Sequence, residues 1–278
     1  MDEDEILSEF SQLYEDRPDK ISTGSVGLDL ILQGGFARGK LVELFGEPGT
    51  GKTTLALATV SAAQKFGPVV WVDPSGCFDR DRAAATGINV DDLLVIRPDD
   101  ASFALHAVRV ASRQSPLIVF DAVTEVSMEI NDQQWYETQF SMLAGDLSAG
   151  SATALCISSE VVSDYLNEYM ARSLRGHANT RVKLSSKRKT NSIAYVTAEV
   201  FRDFASPPSD PVKFKIRHGI IDHPTELVTL ALENGILTKN GAWIYFGERQ
   251  LGQGISSAVK YATEEDLLSM ESSLRNLI

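Results

Sequence analysis

Gly46-Glu-Pro-Gly-Thr-Gly-Lys-Thr-Thr54 gathers the residue types that can hold a chain of phosphates. Glycines let the backbone curl until successive N–H groups point at one anion. Lys52 adds a point charge for the outer phosphates, and the Thr53 hydroxyl can ligate Mg²⁺. The apolar run Leu41-Val-Glu-Leu-Phe45 precedes this stretch and the helical pattern Leu55-Ala-Leu-Ala-Thr-Val60 follows it, so it falls where a buried strand turns into a helix N-terminus. Gly46, Glu47, Pro48, Gly49, Thr50, Gly51, Lys52, Thr53 and Thr54 are therefore candidate contacts for a nucleoside triphosphate, with a ligand-free glycine turn as the alternative. A second apolar run, Leu117-Ile-Val-Phe-Asp121, ends in a carboxylate. That arrangement holds Mg²⁺ through water opposite a hydroxyl, which makes Thr53 and Asp121 candidate metal ligands and ATP with Mg²⁺ the expected cofactor.

The elements that position these residues follow from hydrophobic period. Val69-Val-Trp-Val-Asp73, Leu93-Leu-Val-Ile96, Leu117–Asp121 and Ala152-Thr-Ala-Leu-Cys-Ile157 are short apolar runs with helical segments between several of them, which predicts a mostly parallel sheet with helices on both faces. Arg181–Leu184 and Ser192–Val200 flank a basic turn as an antiparallel hairpin, and Val212-Lys-Phe-Lys-Ile216 alternates as a further strand. After Pro224 the texture changes to a helix from Glu226 to Glu233, a Gly-rich pair of strands around Ala242-Trp-Ile-Tyr-Phe246 and a last helix from about Thr263. The expected division is a helical arm over 1–20, with Ile6, Leu7, Phe10 and Leu13 on one side of a short helix, a nucleotide-binding core over 21–222, and a small C-terminal α/β domain over 223–278.

Composition narrows the function classes. Hydrophobic residues at 43% suffice for a sizeable core, no apolar run reaches the roughly 20 residues of a membrane helix, and the start Met1-Asp-Glu-Asp-Glu5 is acidic where an export leader is basic. The expected compartment is the cytoplasm, with no membrane partner. Cys77 and Cys156 lack ligand spacing and lie in apolar contexts, so buried reduced thiols are expected. A net charge of −12 argues against coating nucleic acid with the whole surface. Locally the balance reverses, because Arg172, Arg175, Arg181, Lys183, Lys187, Arg188 and Lys189 occur with no acidic residue between the first and last of them. Arg172, Arg175, Lys187, Arg188 and Lys189 are candidate contacts for single-stranded DNA, with a solvated hairpin as the equal alternative.

Together these words resemble the bacterial RecA recombinases over roughly residues 21 to 260. The resemblance rests on Ile21-Ser-Thr-Gly-Ser25 with Leu28-Asp29, Gly51-Lys-Thr-Thr54, Val72-Asp73 with Asp79, Asp91-Asp-Leu-Leu94 with Pro98-Asp99, and Glu226-Leu-Val228. Its most specific part, Gly241-Ala-Trp243 with Gly252-Gln-Gly254 and Ala258, lies outside the phosphate-loop core. The resemblance implies a RecA-type P-loop ATPase core with a small C-terminal α/β domain, and ATP-controlled binding of single-stranded DNA in a homo-oligomeric filament. It also implies that Asp79 lies near the adenine and that Arg82 stands where the family stacks an aromatic on the base.

Departures from the family pattern bear on turnover. Asp73-Pro-Ser75 places a serine where the family has its water-activating glutamate, and Ala122 empties the other common position, so hydrolysis is expected to be slow or to use Glu125 or Glu160. Glu160 aligns with the γ-phosphate-sensing glutamine, unless the alignment slips by one residue. Phe201 and Asp203 replace the lysines that a neighbouring subunit contributes to ATP, with Arg202 between them as a substitute. The DNA-loop segments, about 127–135 and 161–175, are short; the second offers Tyr165, Tyr169, Met170, Arg172 and Arg175 for stacking and phosphate contact. Two readings follow. One is a compact recombinase that binds single-stranded DNA with impaired ATP hydrolysis; the other is a RecA paralogue that binds ATP structurally and regulates a recombinase or polymerase partner.

Overall fold

The computed structural model describes residues 19–126, 130–150, 152–160, 165–190, 192–207 and 209–278. The expected helix over Glu3–Leu13 lies outside them. β1 (Lys20–Ile21) pairs antiparallel with β2 (Phe36–Ala37), and α1 (Val26–Ile31) lies between them, its first turn capped by Ser25 Oγ. β3 (Leu41–Gly46), α2 (Lys52–Ala63), β4 (Val69–Val72), α3 (Arg80–Ala85), β5 (Leu93–Ile96), α4 (Ala101–Ala111) and β6 (Leu117–Asp121) alternate as the periodicity requires. α5 (Gln133–Gly150), β7 (Thr153–Ser159) and α6 (Tyr165–His177) follow, then β8 (Thr180–Thr190), β9 (Ile193–Asp203), β10 (Val212–Arg217) and β11 (Ile220–Ile221).

These strands form a nine-stranded sheet in the order β11-β10-β9-β8-β3-β7-β6-β4-β5. Pairings from β8 through β5 are parallel, and those joining β8 to β9, β10 and β11 are antiparallel. The parallel strands are apolar at both parities because both faces are covered. Val42, Leu44, Trp71, Val119 and Ile157 join α2 in one core, whereas Leu41, Val72, Phe120 and Cys156 join α4, α5 and α6 in the other. The chain thus has the expected α/β class with a mostly parallel central sheet.

A three-stranded antiparallel sheet, β12 (Thr238–Asn240), β13 (Trp243–Phe246) and β14 (Arg249–Gln253), packs with α7 (His223–Glu233), α8 (Gly254–Tyr261) and α9 (Glu264–Arg275) around Val228, Leu237, Ile244, Leu251 and Met270. α7 begins three residues before Glu226, with Asp222 as its N-cap and Pro224 in its first turn, where a missing N–H costs nothing. Thr263 and Asp266 cap α9 reciprocally. Val26 of α1 packs with Leu227, Leu230 and Leu274. Glu226 is buried at this junction and accepts from Ser25 Oγ at 2.5 Å and Gly27 N at 3.1 Å.

Three expectations change. Cys77 is exposed while Cys156 is buried, and both are free. Cys77 follows Gly76 in the turn after β4, where chain direction rather than side-chain polarity decides exposure. The second expected DNA segment is largely α6: Met170 is fully buried beneath it and cannot stack on a base. The first segment runs into α5, which begins at Gln133. No helix among the described residues is long and apolar enough to cross a membrane.

Candidate functional site

β3 is buried along its length and delivers the glycine loop at the C-terminal ends of the parallel strands, between β7 and β8. Gly46 has φ +147°, and a Cβ there would stand 2.1 Å from the Leu184 carbonyl oxygen, so the loop turns against β8 with no room for a side chain. Gly51 is the N-cap of α2 at φ +98°, a left-handed conformation that strains any other residue, and a Cβ there would also press on Ile216 Cδ1, 2.6 Å away. The loop therefore feeds its N–H groups into a helix N-terminus carrying no acidic first turn. Thr50 Oγ1 donates to Glu47 O at 2.8 Å and stiffens it.

Lys52 Nζ donates to Gly46 O at 2.8 Å and Glu47 O at 2.9 Å. Burial lowers its pKa, and Asp121, Glu125 and Glu160 oppose that shift. Thr53 Oγ1 donates to Asp121 Oδ2 at 3.0 Å across 68 residues of sequence. Asp121 is pushed up to about 6, chiefly by burial; the Thr53 hydrogen bond lowers it, Glu125 and Asp73 raise it, and Lys52 lowers it. A hydroxyl beside a carboxylate that gains from losing its proton suits a divalent cation. One carboxylate with phosphate and water oxygens is the usual Mg²⁺ shell, and no cluster of three metal-binding side chains occurs among the described residues.

A cavity of about 370 Å³ opens from Lys52 and Thr53 toward Arg82, Ile216 and Gly219. The tip of the β8–β9 hairpin also lines it, through Thr190 and Ser192, and Ser186 Oγ lies 3.5 Å from Gly49 O. Sequence reasoning missed this proximity. Arg82 Nη2 donates to Thr54 Oγ1 at 2.6 Å, which ties the guanidinium to the first turn of α2. Asp79 is the N-cap of α3, accepting from Arg82 N at 3.0 Å, and does not line the cavity.

Ser75 is half-buried and donates to Asp73 Oδ1 at 3.2 Å. Asp73 is buried and also accepts from Cys77 N and Phe78 N, both at 3.0 Å, so this carboxylate shapes the turn. Glu160 follows β7; its N–H donates to Gly46 O at 3.4 Å, and its carboxylate pairs with Lys183 at 2.5 Å. Glu125 is exposed on a single 3-10 turn after β6. Behind the loop, buried Glu43 accepts from Ser158 Oγ at 2.7 Å and Arg181 Nε at 2.5 Å, joining β3, β7 and β8. No sequence pattern announces that link.

Arg202 is corrected as a substitute for the interfacial lysines. Its Nη2 donates to the carbonyls of Arg175 and Ala178, at the C-terminal end of α6, so the group serves its own chain. Asp203 accepts from Thr180 Oγ1 at 2.7 Å, and Phe201 is 53% exposed. The DNA candidates fall on two elements. Arg172 is exposed on α6 and Arg175 pairs with Glu168, whereas Lys187 is exposed on β8, with Arg188 and Lys189 next to it in the strand.

Against this geometry, the model of the RecA N-terminal domain family matches residues 6–143, and that of the RecA C-terminal domain family matches residues 225–273. This chain belongs to the RecA family. Protein RecA of Sulfurimonas denitrificans is 32% identical over 282 residues, covering 91% of this chain and 82% of that protein. Protein RecA of Thermus aquaticus is 30% identical over 285 residues, with 91% and 83% covered. Protein RecA of Lactococcus lactis subsp. cremoris (strain MG1363) is 29% identical over 276 residues, with 88% and 71% covered. The C-terminal RecA match takes in α7, β13 and β14, where the Gly241-Ala-Trp243 and Gly252-Gln-Gly254 words lie.

Proposed function

We propose that this RecA-family chain acts in DNA recombination or repair, binding ATP with Mg²⁺ in the loop Gly46–Thr54 and turning it over slowly. The observation that carries the reading is the convergence of Lys52 and Thr53 of α2, which line the cavity, with Asp121 of β6, which accepts from Thr53. A charged phosphate oxygen is a stronger partner for Lys52 than the two neutral carbonyls that now accept from it. Thr53 and Asp121 hold the Mg²⁺, which would neutralise charge on the outer phosphates. Arg82 and the apolar wall at Ile216 take the base, with Asp79 fixing the helix that carries Arg82. The 21–222 core carries this site, and the 223–278 domain is its C-terminal partner. The cytoplasm is the compartment this role requires.

Slow turnover follows from the side chains around the outer phosphates. Ser75 has no basic group, Ala122 is buried and Glu160 is engaged by Lys183. Exposed Glu125, whose charge reaches both Lys52 and Asp121, is left as the carboxylate to polarise a water. Single-stranded DNA is the proposed polymer ligand, contacted through Arg172, Lys187, Arg188 and Lys189, with Arg175 joining once released from Glu168. The binding of Arg202 within its own chain favours a second reading, in which ATP is a structural ligand of a non-filamenting paralogue that regulates a recombinase or polymerase.

ATPase assays with and without single-stranded DNA, paired with sizing of the ATP-bound protein, separate the two readings. Slow, DNA-stimulated turnover in a large assembly supports the recombinase. A small particle that binds ATP and ignores DNA supports the regulator, and rapid turnover without DNA contradicts both.

A further inference from the structure

α2 presents a second face away from the phosphate loop. Thr54, Ala58, Ser61 and Ala62 of α2, continued by Lys65 of the 3-10 turn Gln64–Phe66, recur there at helical spacing, small or polar where a packed helix carries large apolar side chains. Opposite this stripe lies a cavity of about 380 Å³, bounded by Ile220 and Ile221 of β11, His223 of α7 and Arg275 of α9. One end is closed by the loop before α1, where a Cβ on Gly24 would come within 2.4 Å of the Ala58 Cβ.

In a chain of net charge −12, the charged side chains lining this cavity are all cationic: Lys65, His223 and Arg275. Three carboxylates neighbour the last two without lining it. Glu271 lies 3.3 Å from His223 Nε2 and accepts from Arg275 Nε at 2.9 Å, Glu226 lies 3.8 Å from His223 Nδ1, and Asp29 accepts from Arg275 Nη1 at 3.3 Å. Asp29 and Glu226 are buried, so they hold the two cations in place from behind. The Glu226 and Glu271 carboxylates beside its ring raise His223 to about 9, which keeps it charged at neutral pH. Lys65 is exposed, and neither it nor Ser61 makes a side-chain hydrogen bond or ion pair among the described residues.

We infer that this cavity binds a small organic phosphate, its anionic head against Lys65, His223 and Arg275 and its apolar body on Ile220 and Ile221. Thr54 belongs to both cavities, and its Oγ1 holds Arg82 on the nucleotide side. The occupant therefore touches the residue that positions Arg82, which makes this a site able to tune the front cavity. Lys65, His223 and Arg275, which carry the inference, have no part in the proposed function, so the inference does not require it.

The test is calorimetric titration of phenyl phosphate into the full chain carrying Lys52→Ala, which silences the phosphate loop. Saturable one-to-one binding is expected. Adding Lys65→Ala should weaken it about tenfold, as the loss of one charge-assisted hydrogen bond does, and Lys65→Arg should retain it. Inorganic phosphate should bind more weakly than phenyl phosphate, because it leaves the apolar floor uncovered. Absence of saturable binding, affinity indifferent to Lys65→Ala in a variant with an unchanged melting temperature, or equal affinity for the two phosphates would each overturn the inference.

Discussion

The Asp121 carboxyl gives a prediction with a sign and a size. Burial holds its pKa at about 6 against an ordinary 3.8. Between those values the folded protein keeps a proton that the unfolded chain has released, so free-protein stability falls as pH rises through that window. The full cost of about 3 kcal/mol is present above the folded pKa. Mg²⁺ must displace the same proton, and its contribution to nucleotide affinity therefore runs the other way, strengthening as pH rises. The carboxyl is about nine-tenths ionised at pH 7 and about one-tenth at pH 5, so the Mg²⁺-dependent increment should shrink about tenfold between them, or ~1.4 kcal/mol. Calorimetric titration with ADP, with and without Mg²⁺, at each pH measures that increment. Phosphate itself titrates near about 6, but this contribution is common to the Asp121→Asn variant, which lacks the carboxyl proton. An increment with the same pH dependence in both proteins would refute the assignment of Asp121 as the metal-holding carboxylate.

Further outcomes follow from individual contacts. Arg202→Ala removes two hydrogen bonds to carbonyls at the end of α6 and should cost about 2 kcal/mol in denaturant unfolding. It should leave ATP affinity unchanged; lost turnover at full stability would restore Arg202 to an interfacial role. Ser75→Glu places a carboxylate in the turn after β4 and should raise DNA-stimulated turnover, and a rate equal to the parent's would show that the missing glutamate does not limit it. Replacing Lys187, Arg188 and Lys189 together by alanine should flatten the salt dependence of single-stranded DNA binding by up to about three in the log–log slope, with little change in stability. An unchanged slope in a folded triple variant would make the hairpin a solvated surface.

Legibility in the sequence tracks the range of the interaction. The loop Gly46–Thr54 is a local device, with glycines, lysine and threonine within nine residues, and its strand and helix announce themselves by period. The Thr53–Asp121 pair was legible because a carboxylate ending a buried parallel strand is placed by the sheet itself. The role of Arg202 is not legible in the sequence, because its partners, the carbonyls of Arg175 and Ala178, are backbone groups that become acceptors once α6 ends beside β9. The segment 161–175 corresponds to a DNA loop through the family resemblance, yet most of it folds as α6, which buries Met170, Ala171 and Leu174 on one side. The hairpin tip over the nucleotide cavity and the Glu43–Ser158–Arg181 link depend on strand order, with β8 beside β3, which pattern alone does not fix.

The central claim is that Lys52, Thr53 and Asp121 together hold a magnesium nucleotide. Calorimetric titration of ATP with Mg²⁺ into the unaltered chain and into Lys52→Ala tests it most directly. Saturable binding in the first and none in the second, with both proteins folded, is the predicted result; no binding to the unaltered chain, or equal binding to both, would contradict it.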